Sequence, residues 1–409
     1  MNAVLSMLFA LPPLLLFYTW CAYPLLVLGP ARRRRQPQAV TGETPPGETP
    51  SLMVILSAFN EAGVIAARIR NLREVEYPAG RITVLIGTDG CTDATARIAR
   101  EAAATAPHIH IIEREVNRGK VAMLRDLVAQ AATLHGDTPA LLVFTDANTA
   151  FRPDALHRLA RHFSDPRIGG VCGRLVFKGA GSGEERAYWN LENMLKEQES
   201  ALDSCLGANG AIYAIRPECF WKDIPVNTIV DDFVIGMKVR EAGFRMLYDP
   251  LAVAEEDIPD LRDEWCRRIR IGSGDYQAAR LCNACLHPRF GVFAWCFWSH
   301  KILRWFTPHL LLLMLASVLA TAAGSVFQTP PLPVAVMAAA TGLGSALLLA
   351  AAVSGRLSRR RAAAAGTLLR LCRGADHFVT MQAALLAGFL RFCRGNLSGA
   401  WTRTPRATS

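Results

Sequence analysis

The sequence predicts an α/β fold: a doubly wound sheet of buried strands and crossover helices, set between membrane segments. Two observations carry that expectation. From Leu52 onward, short apolar runs alternate with amphipathic stretches, the pattern of buried strands joined by helices. On either side lie long uncharged apolar runs bordered by arginines. The 409 residues are 51% hydrophobic and only 20% charged, with a mean hydropathy of +0.19, which excludes a disordered low-complexity chain. The 11 cysteines are scattered and many sit in apolar runs, so they read as reduced core thiols; neither a disulfide scaffold nor a zinc ribbon is expected.

Residues 1–31 carry no charged side chain, and Arg32 to Arg35 follow at once. A stretch this long spans the ~30 Å hydrocarbon core, and the arginines place its C-terminal end in the cytoplasm. It reads as an anchor, not a cleaved signal. Residues 32–50 read as a basic, Pro-rich linker, and residues 51–260 as the α/β domain. Within it, Leu52–Leu56, Ile82–Gly87, Ile109–Glu113 and Ala140–Thr145 are predicted strands, with helices over Glu61–Val75, Asp93–Ala106 and Lys120–Leu134. Residues 261–304 form an Arg-rich interfacial region. In the C-terminal membrane region, 305–409, passes are expected at about 308–327 and 332–354, with Arg356 and Arg359 to Arg361 returning the chain to the cytoplasm. The segment 376–393 reads as a third pass or an interfacial helix, and the arginines after it favour the interface. In a cytoplasmic tail the sequon at Asn396 would be inert. The net charge of +10 is distributed beside apolar segments, which suits an anionic membrane surface rather than nucleic acid.

The informative side chains follow the predicted strands, where ligands of doubly wound sheets bind. Asn60-Glu61 ends the first. Asp89 ends the second, placed to accept from a base or ribose or to hold a turn, and Asp93 caps the next helix. Lys120 opens a helix, a position that opposes the dipole unless a phosphate is near; a solvated surface lysine is the other reading. Asp146 and Asn148 follow the fourth strand, suited either to a hard cation such as Mg²⁺ or Mn²⁺ or to a turn. Asp231-Asp232 opens an apolar helix, as charge complements or with one acting as general base. Arg267 and Arg270 share a helix face, as a diphosphate clamp or a stripe on lipid headgroups.

In their order and spacing these residues resemble a membrane-bound family 2 glycosyltransferase of the cellulose, hyaluronan and poly-N-acetylglucosamine synthase type. The resemblance implies a GT-A fold with one N-terminal and at least two C-terminal transmembrane helices. It implies an inverting transferase that uses a nucleotide-diphosphate sugar, a UDP-sugar foremost, with Mg²⁺ or Mn²⁺. The acceptor would be a glycan or lipid-linked, and the enzyme would lie in the inner (cytoplasmic) membrane with its catalytic domain cytoplasmic. Such an enzyme would serve envelope or exopolysaccharide synthesis, with membrane lipids and export proteins as partners and no nucleic acid. By position, Asn60, Glu61, Asp89 and Lys120 would meet the nucleotide, while Asp146 and Asn148 match the metal-binding Asp-x-Asp. Gly207, Asn209 and Gly210 match the acceptor-pocket segment. Asp232 matches the base, with Asp231 before it. Arg267, Arg270 and Ile271 match the Gln-Arg-x-Arg-Trp motif, Arg270 on the diphosphate. Asn148, Arg267 and Ile271 depart from the pattern, and Ile271 removes the aromatic acceptor platform. Transfer of a single sugar to a polyprenyl-linked acceptor, and a non-catalytic secretion subunit, are the alternatives.

Overall fold

The computed structural model describes residues 2–33, 49–78, 80–134, 141–178, 183–257, 264–325, 330–358, 366–395 and 397. Arg34, Arg35, most of the 32–50 linker, Arg359 to Arg361 and Asn396 lie outside them.

Helices α1 (Asn2–Phe17) and α2 (Tyr23–Arg33) run on through a π-helical turn at Tyr18–Ala22. Pro24 has no amide to donate back to Trp20, and the Tyr23 amide instead reaches the Tyr18 carbonyl, five residues away. The predicted alternation then appears as β1 (Leu52–Ala58), α3 (Ile65–Glu74), β2 (Ile82–Asp89), α4 (Thr95–Ala103), β3 (Ile109–Arg114), α5 (Lys120–Leu134) and β4 (Leu141–Thr145). The helix expected from Glu61 starts only at Ile65. Asn60 takes a φ of +54°, and the Val64 and Ile65 amides both close a turn on the Glu61 carbonyl.

A second half follows: β5 (Thr149–Phe151), α6 (Ala155–Ala160), β6 (Ile168–Lys178), α7 (Gly183–Leu202), β7 (Tyr213–Ile215), α8 (Asp231–Glu241) and β8 (Arg245–Asp257). One sheet has the order β3-β2-β1-β4-β7-β6-β8-β5. It is parallel across β3-β2-β1-β4, but β7 is antiparallel to both β4 and β6, and β5 to β8. Every residue of β1 is buried. Met53 and Ile55 face a core shared with α5 and α8, while Leu52, Val54 and Leu56 face one shared with α3, α4 and α6. A strand covered on both faces is why the run is continuously apolar.

Next come α9 (Glu264–Leu281), α10 (Val292–Cys296), a π-helical turn at Phe297–Ile302, α11 (Leu303–Trp305), α12 (Thr307–Gly324), α13 (Leu332–Ser358) and α14 (Thr367–Cys393). Among the described residues, three stretches are long and apolar enough to cross a membrane: Phe9–Gly29, Thr307–Gly324 and Leu332–Ser358. The expected segment 376–393 is the second part of α14, which starts at Thr367 and packs along both α9 and α13. Its contact with α9 is backbone to backbone: a Cβ on Gly388 would stand 2.7 Å from Gly272 C and Ser273 N. Cys282 and Cys285 have the spacing of a CxxC pair, yet both are buried free thiols, and burial pushes the Cys285 thiol up to about 12. They are core residues.

A charged cluster fastens the first membrane stretch to the α/β domain. Glu192 of α7 receives Lys301 at 2.7 Å, Arg304 at 2.7 Å and His300 at 3.1 Å. His300 also reaches Glu199 at 2.6 Å, and Glu199 accepts the Tyr23 hydroxyl at 2.6 Å. Burial alone would raise the Glu192 carboxyl, but Lys301, His300 and Arg304 outweigh it and hold it well below the carboxylate range. Glu192→Gln leaves that cationic group uncompensated, a loss of about 3–5 kcal/mol. Thermal unfolding in detergent should show a lowered midpoint; an unchanged one would mean that this cluster does not join the two parts.

Candidate active site

The strand order reverses between β1 and β4, so a crevice opens beyond their carboxyl ends. Asn60, Asp89 and Asp146 all emerge there. The Asn60 carbonyl oxygen accepts from the amides of Thr92 at 2.8 Å and Asp93 at 3.3 Å, and its nitrogen donates to the Thr92 hydroxyl. Glu61 is buried beside it. The Asp93 carboxylate accepts from the Thr95 amide at 2.9 Å in the first turn of α4. Asp89 is buried, and its oxygens accept from the amides of Arg118 and Gly119, the latter at 2.8 Å. This brings the residues just before Lys120 across the end of β2. Gly90, at φ +62°, lies so close to Asn117 that a Cβ would stand 2.1 Å from its amide nitrogen.

That loop delivers Lys120 into the crevice. Its ammonium lies 2.9 Å from Asp146 Oδ1 and 3.3 Å from Asp231 Oδ2, which joins the starts of α5 and α8 to the end of β4. The anions beside this helix start are two protein carboxylates, where the sequence suggested a phosphate or a solvated lysine. Burial would depress the ammonium, but Asp146, Asp231 and Asp232 outweigh it and hold its pKa above the usual lysine value. Asp231 is buried, and burial pushes its carboxyl up to about 6, with Lys120 opposing and Asp232 and Asp146 adding to the rise. Asp232 is only partly covered, and its Oδ1 accepts from the Phe233 amide at 2.8 Å.

Around this centre, Gly210 lies over Asp146, where a Cβ would come 2.7 Å from Oδ2. Gly207, at φ +71°, packs on Phe233. Asn209 donates to the Gly173 carbonyl at 2.8 Å and accepts from the Ile212 amide at 3.2 Å, which ties this segment to β6. Asn148 donates its amide to Glu256 of β8, and its carbonyl oxygen has no donor among the described residues. Among those residues no group of three or more His, Cys, Asp or Glu is placed to hold a metal ion. Asp146 nevertheless has one oxygen on Lys120 and the other facing the space above Gly210. Such a lone carboxylate suits an ion whose shell is completed by substrate phosphate. Arg270 of α9 is largely buried, within electrostatic reach of Asp231 and Asp146; burial, Arg267 and Arg391 of α14 hold its pKa down. Ile271 follows, partly covered.

Three contributors carried no sequence signal. Arg68 is fully inside, donating to Thr145 at 2.7 Å and lying over the Phe151 ring at 4.2 Å; burial brings it down to about 9, with Asp146 opposing. Tyr213 is buried beneath Asp231, Asp232 and Asp146, and these carboxylates add to burial in raising its hydroxyl. Glu256 lies on the edge strand pair that holds Asn148. Each depends on packing between segments far apart in the chain.

A mixed sheet with its carboxylates at the switch point and an arginine-bearing helix across them is the architecture of GT-A glycosyltransferases. Comparison with known proteins agrees. The family described as "Glycosyl transferase family 2" matches residues 53–219, and "Glycosyl transferase family group 2" matches residues 141–352. The chain belongs to the family 2 glycosyltransferases. A poly-beta-1,6-N-acetyl-D-glucosamine synthase of Staphylococcus aureus is 23% identical over 241 residues, 56% of this chain and 56% of that protein. A beta-monoglucosyldiacylglycerol synthase of Nostoc is 25% identical over 244 residues, 56% of this chain and 50% of that protein. The chain thus spans about half the length of the curated relatives it matches. A mannosyltransferase of Pyrobaculum calidifontis, solved with GDP-Man and Mn²⁺, superposes with a TM-score of 0.67 at 23% identity, covering 94% of this chain and 99% of its own.

With burial pushing the Asp231 carboxyl up to about 6, its ion pair with Lys120 should be present above that value and be lost progressively below it. Nucleoside diphosphate release should fall on the acid side of about pH 6. Lys120→Met removes the cation that lowers this carboxyl, so its pH–rate profile should shift its acid limb upward and lose activity at every pH. A limb that stays in place would separate Asp231 from the reaction.

Proposed function

We propose that this enzyme is an inverting transferase moving a sugar from a nucleoside diphosphate to a hydroxyl of a glycan or lipid-linked acceptor, at the cytoplasmic face of a membrane. The observation that carries the proposal is the division of labour between two adjacent aspartates. Asp231 is buried and ion-paired to Lys120, whereas Asp232 opens on the crevice and forms no ion pair among the described residues. On this reading Asp232 takes the proton of the acceptor hydroxyl as its oxygen attacks the anomeric carbon from the face opposite the diphosphate. The bond to the diphosphate breaks, and the anomeric configuration inverts. Arg270 faces the charge that develops on the departing group. Asn60, Glu61 and Asp89 lie where the nucleoside would bind, and Gly207, Asn209 and Gly210 line the acceptor's side.

Asp146 would hold a divalent ion together with the donor diphosphate, with the Asn148 carbonyl oxygen beside it. When bound, Mg²⁺ or Mn²⁺ would offset the negative charge of the leaving group; the Mn²⁺ in the related mannosyltransferase supports this assignment. Ile271 supports single transfers over chain extension, because an aliphatic side chain offers a growing sugar chain no stacking face. The three apolar stretches and the arginines beside them support a multi-pass protein with its catalytic domain in the cytoplasm.

With a panel of UDP- and GDP-sugars, Asp232→Asn should lower transfer by about 10²–10⁴-fold, the usual weight of a general base, while donor affinity stays near that of the parent protein. Retained turnover would remove Asp232 as the base. In Asp146→Ala, Mn²⁺ should no longer tighten donor binding; metal-dependent binding that survives this change would rule out Asp146 as a ligand.

A further inference from the structure

Two titratable side chains within electrostatic reach of Asp232 take no part in the reading above. Lys196 stands on α7 one turn beyond Glu192 and shares its face with Glu192 and Glu199. Those two glutamates are buried against the His300–Arg304 segment. Lys196 is itself mostly covered, yet it makes no hydrogen bond or ion pair with a described residue. The groups within its electrostatic reach are Cys172, Cys205, Asp232 and Glu192.

Asp275 stands on α9 one turn beyond Ile271, on the same face. The helix is clamped there. A Cβ on Gly274 would lie 3.0 Å from the side chains of Ile229 and Val230. Gln277 accepts from the Ile229 amide at 3.0 Å and donates to the Asn227 carbonyl at 3.1 Å. Ile229 and Val230 run straight into Asp231-Asp232, so the clamp sets Asp275 beside the start of α8, within reach of Lys301, Glu192 and Asp232. Asp275 also has no bonded partner among the described residues. Neither side chain's polar atoms are sealed from solvent. An ammonium and a carboxyl that have no bonded partner among the described residues therefore come within electrostatic reach of the base from two different helices.

We propose that Lys196 and Asp275 are positioning residues that hold a neutral, hydroxyl-bearing acceptor across Asp232 by hydrogen bonds. The proposal rests on the transferase reading above and deepens its acceptor side. Polyol oxygens both donate and accept, so an ammonium on one side and a carboxyl on the other can engage two of them and turn a third toward the base. Such orientation lowers the barrier by fixing the approach of the attacking oxygen. Burial pushes the Asp275 carboxyl up to about 8, against Lys301 and with Glu192 and Asp232, so near neutral pH it keeps a proton to donate. A phosphate acceptor would meet Asp231 and Asp232 on this side of the crevice and be repelled. Ile271, with no aromatic face, leaves hydrogen bonding as the means of holding a ring.

The test measures donor affinity, nucleoside diphosphate release without acceptor, and release with three probes: dioleoylglycerol in mixed micelles, short β-linked gluco- and N-acetylglucosamine oligosaccharides, and undecaprenyl phosphate. A neutral probe should stimulate release. Its KM should rise about ten-fold or more in both Lys196→Met and Asp275→Ala, the weight of one or two hydrogen bonds. Asp275→Asn, which keeps a neutral donor, should restore it to within about three-fold. Donor affinity and acceptor-free release should not move, which also shows that the variants are folded. Stimulation by undecaprenyl phosphate alone would overturn the proposal, as would an unchanged acceptor KM or a loss of donor affinity in step with it. So would a donor-binding protein that no neutral probe stimulates. Failure of the parent protein to bind any nucleotide sugar would instead strike at the transferase reading itself.

Discussion

The ammonium of Lys120, held between Asp146 and Asp231, is the interaction on which the site depends. Three carboxylates, Asp146, Asp231 and Asp232, converge on one crevice, and in a partly desolvated place their mutual repulsion would protonate one or push the segments apart. A single cation at 2.9 and 3.3 Å from two of them offsets much of that repulsion. It also acts as a joint, because its partners are the first residue beyond β4 and the first residue of α8. Asp89 extends the joint to β2 by gripping the amides of Arg118 and Gly119. Arg68 supports it from behind, a guanidinium beneath Asp146 that reaches Thr145 but contributes no bond to the crevice itself.

A second set of charges does for the membrane stretches what Lys120 does for the crevice. Glu192 and Glu199 gather His300, Lys301, Arg304 and Tyr23 in the protein interior. Buried ion pairs contribute little net stability over an apolar packing of the same shape, but they are intolerant of any other arrangement. Their use here is registry: they allow one placement of the N-terminal helices relative to α7 and the segment before α12. Because α7 also carries Lys196, and α9 is fixed to α14 by the Gly388 contact, the helices bordering the crevice and the helices of the apolar stretches form one connected framework.

Much of this was readable in the sequence, for identifiable reasons. Strands β1 to β4 are continuous apolar runs with turn residues at their ends, so their limits differ from expectation by one or two residues, and the side chains at their carboxyl ends fall into a common crevice. The second half of the sheet was not readable. β5 and β7 have three residues each, too few to show a period, and are strands only through pairing with β8, β4 and β6. Arg68 lies on an amphipathic stretch whose sequence does not set it apart from Arg70 and Arg73; its contacts with Thr145 and Phe151, some eighty residues on, come only from the fold. Lys120 read equally as a phosphate contact or a solvated lysine; its pairing depends on Asp231, more than a hundred residues away. Likewise, the start of α14 was missed because residues 367–375 mix arginine with leucine, a pattern that becomes helical by packing on α13.

On the proposed reading, the base is the aspartate that an arriving acceptor can reach. Asp231 is fixed by burial and Lys120, so an arriving acceptor cannot reach it without breaking the ion pair. Asp232 has only the Phe233 amide as bonded partner and meets whatever enters. The α9 helix then sets the scale on the proposed reading. Arg270 marks the diphosphate and Asp275 the acceptor, five residues apart, or about 7.5 Å along an α-helix. Between them stands Ile271, an apolar side chain that neither neutralises the leaving group nor competes for hydroxyls. Donor charge and acceptor hydroxyls are thereby sorted to the two ends of one rigid element, with Asp232 across from the gap where the new bond must form.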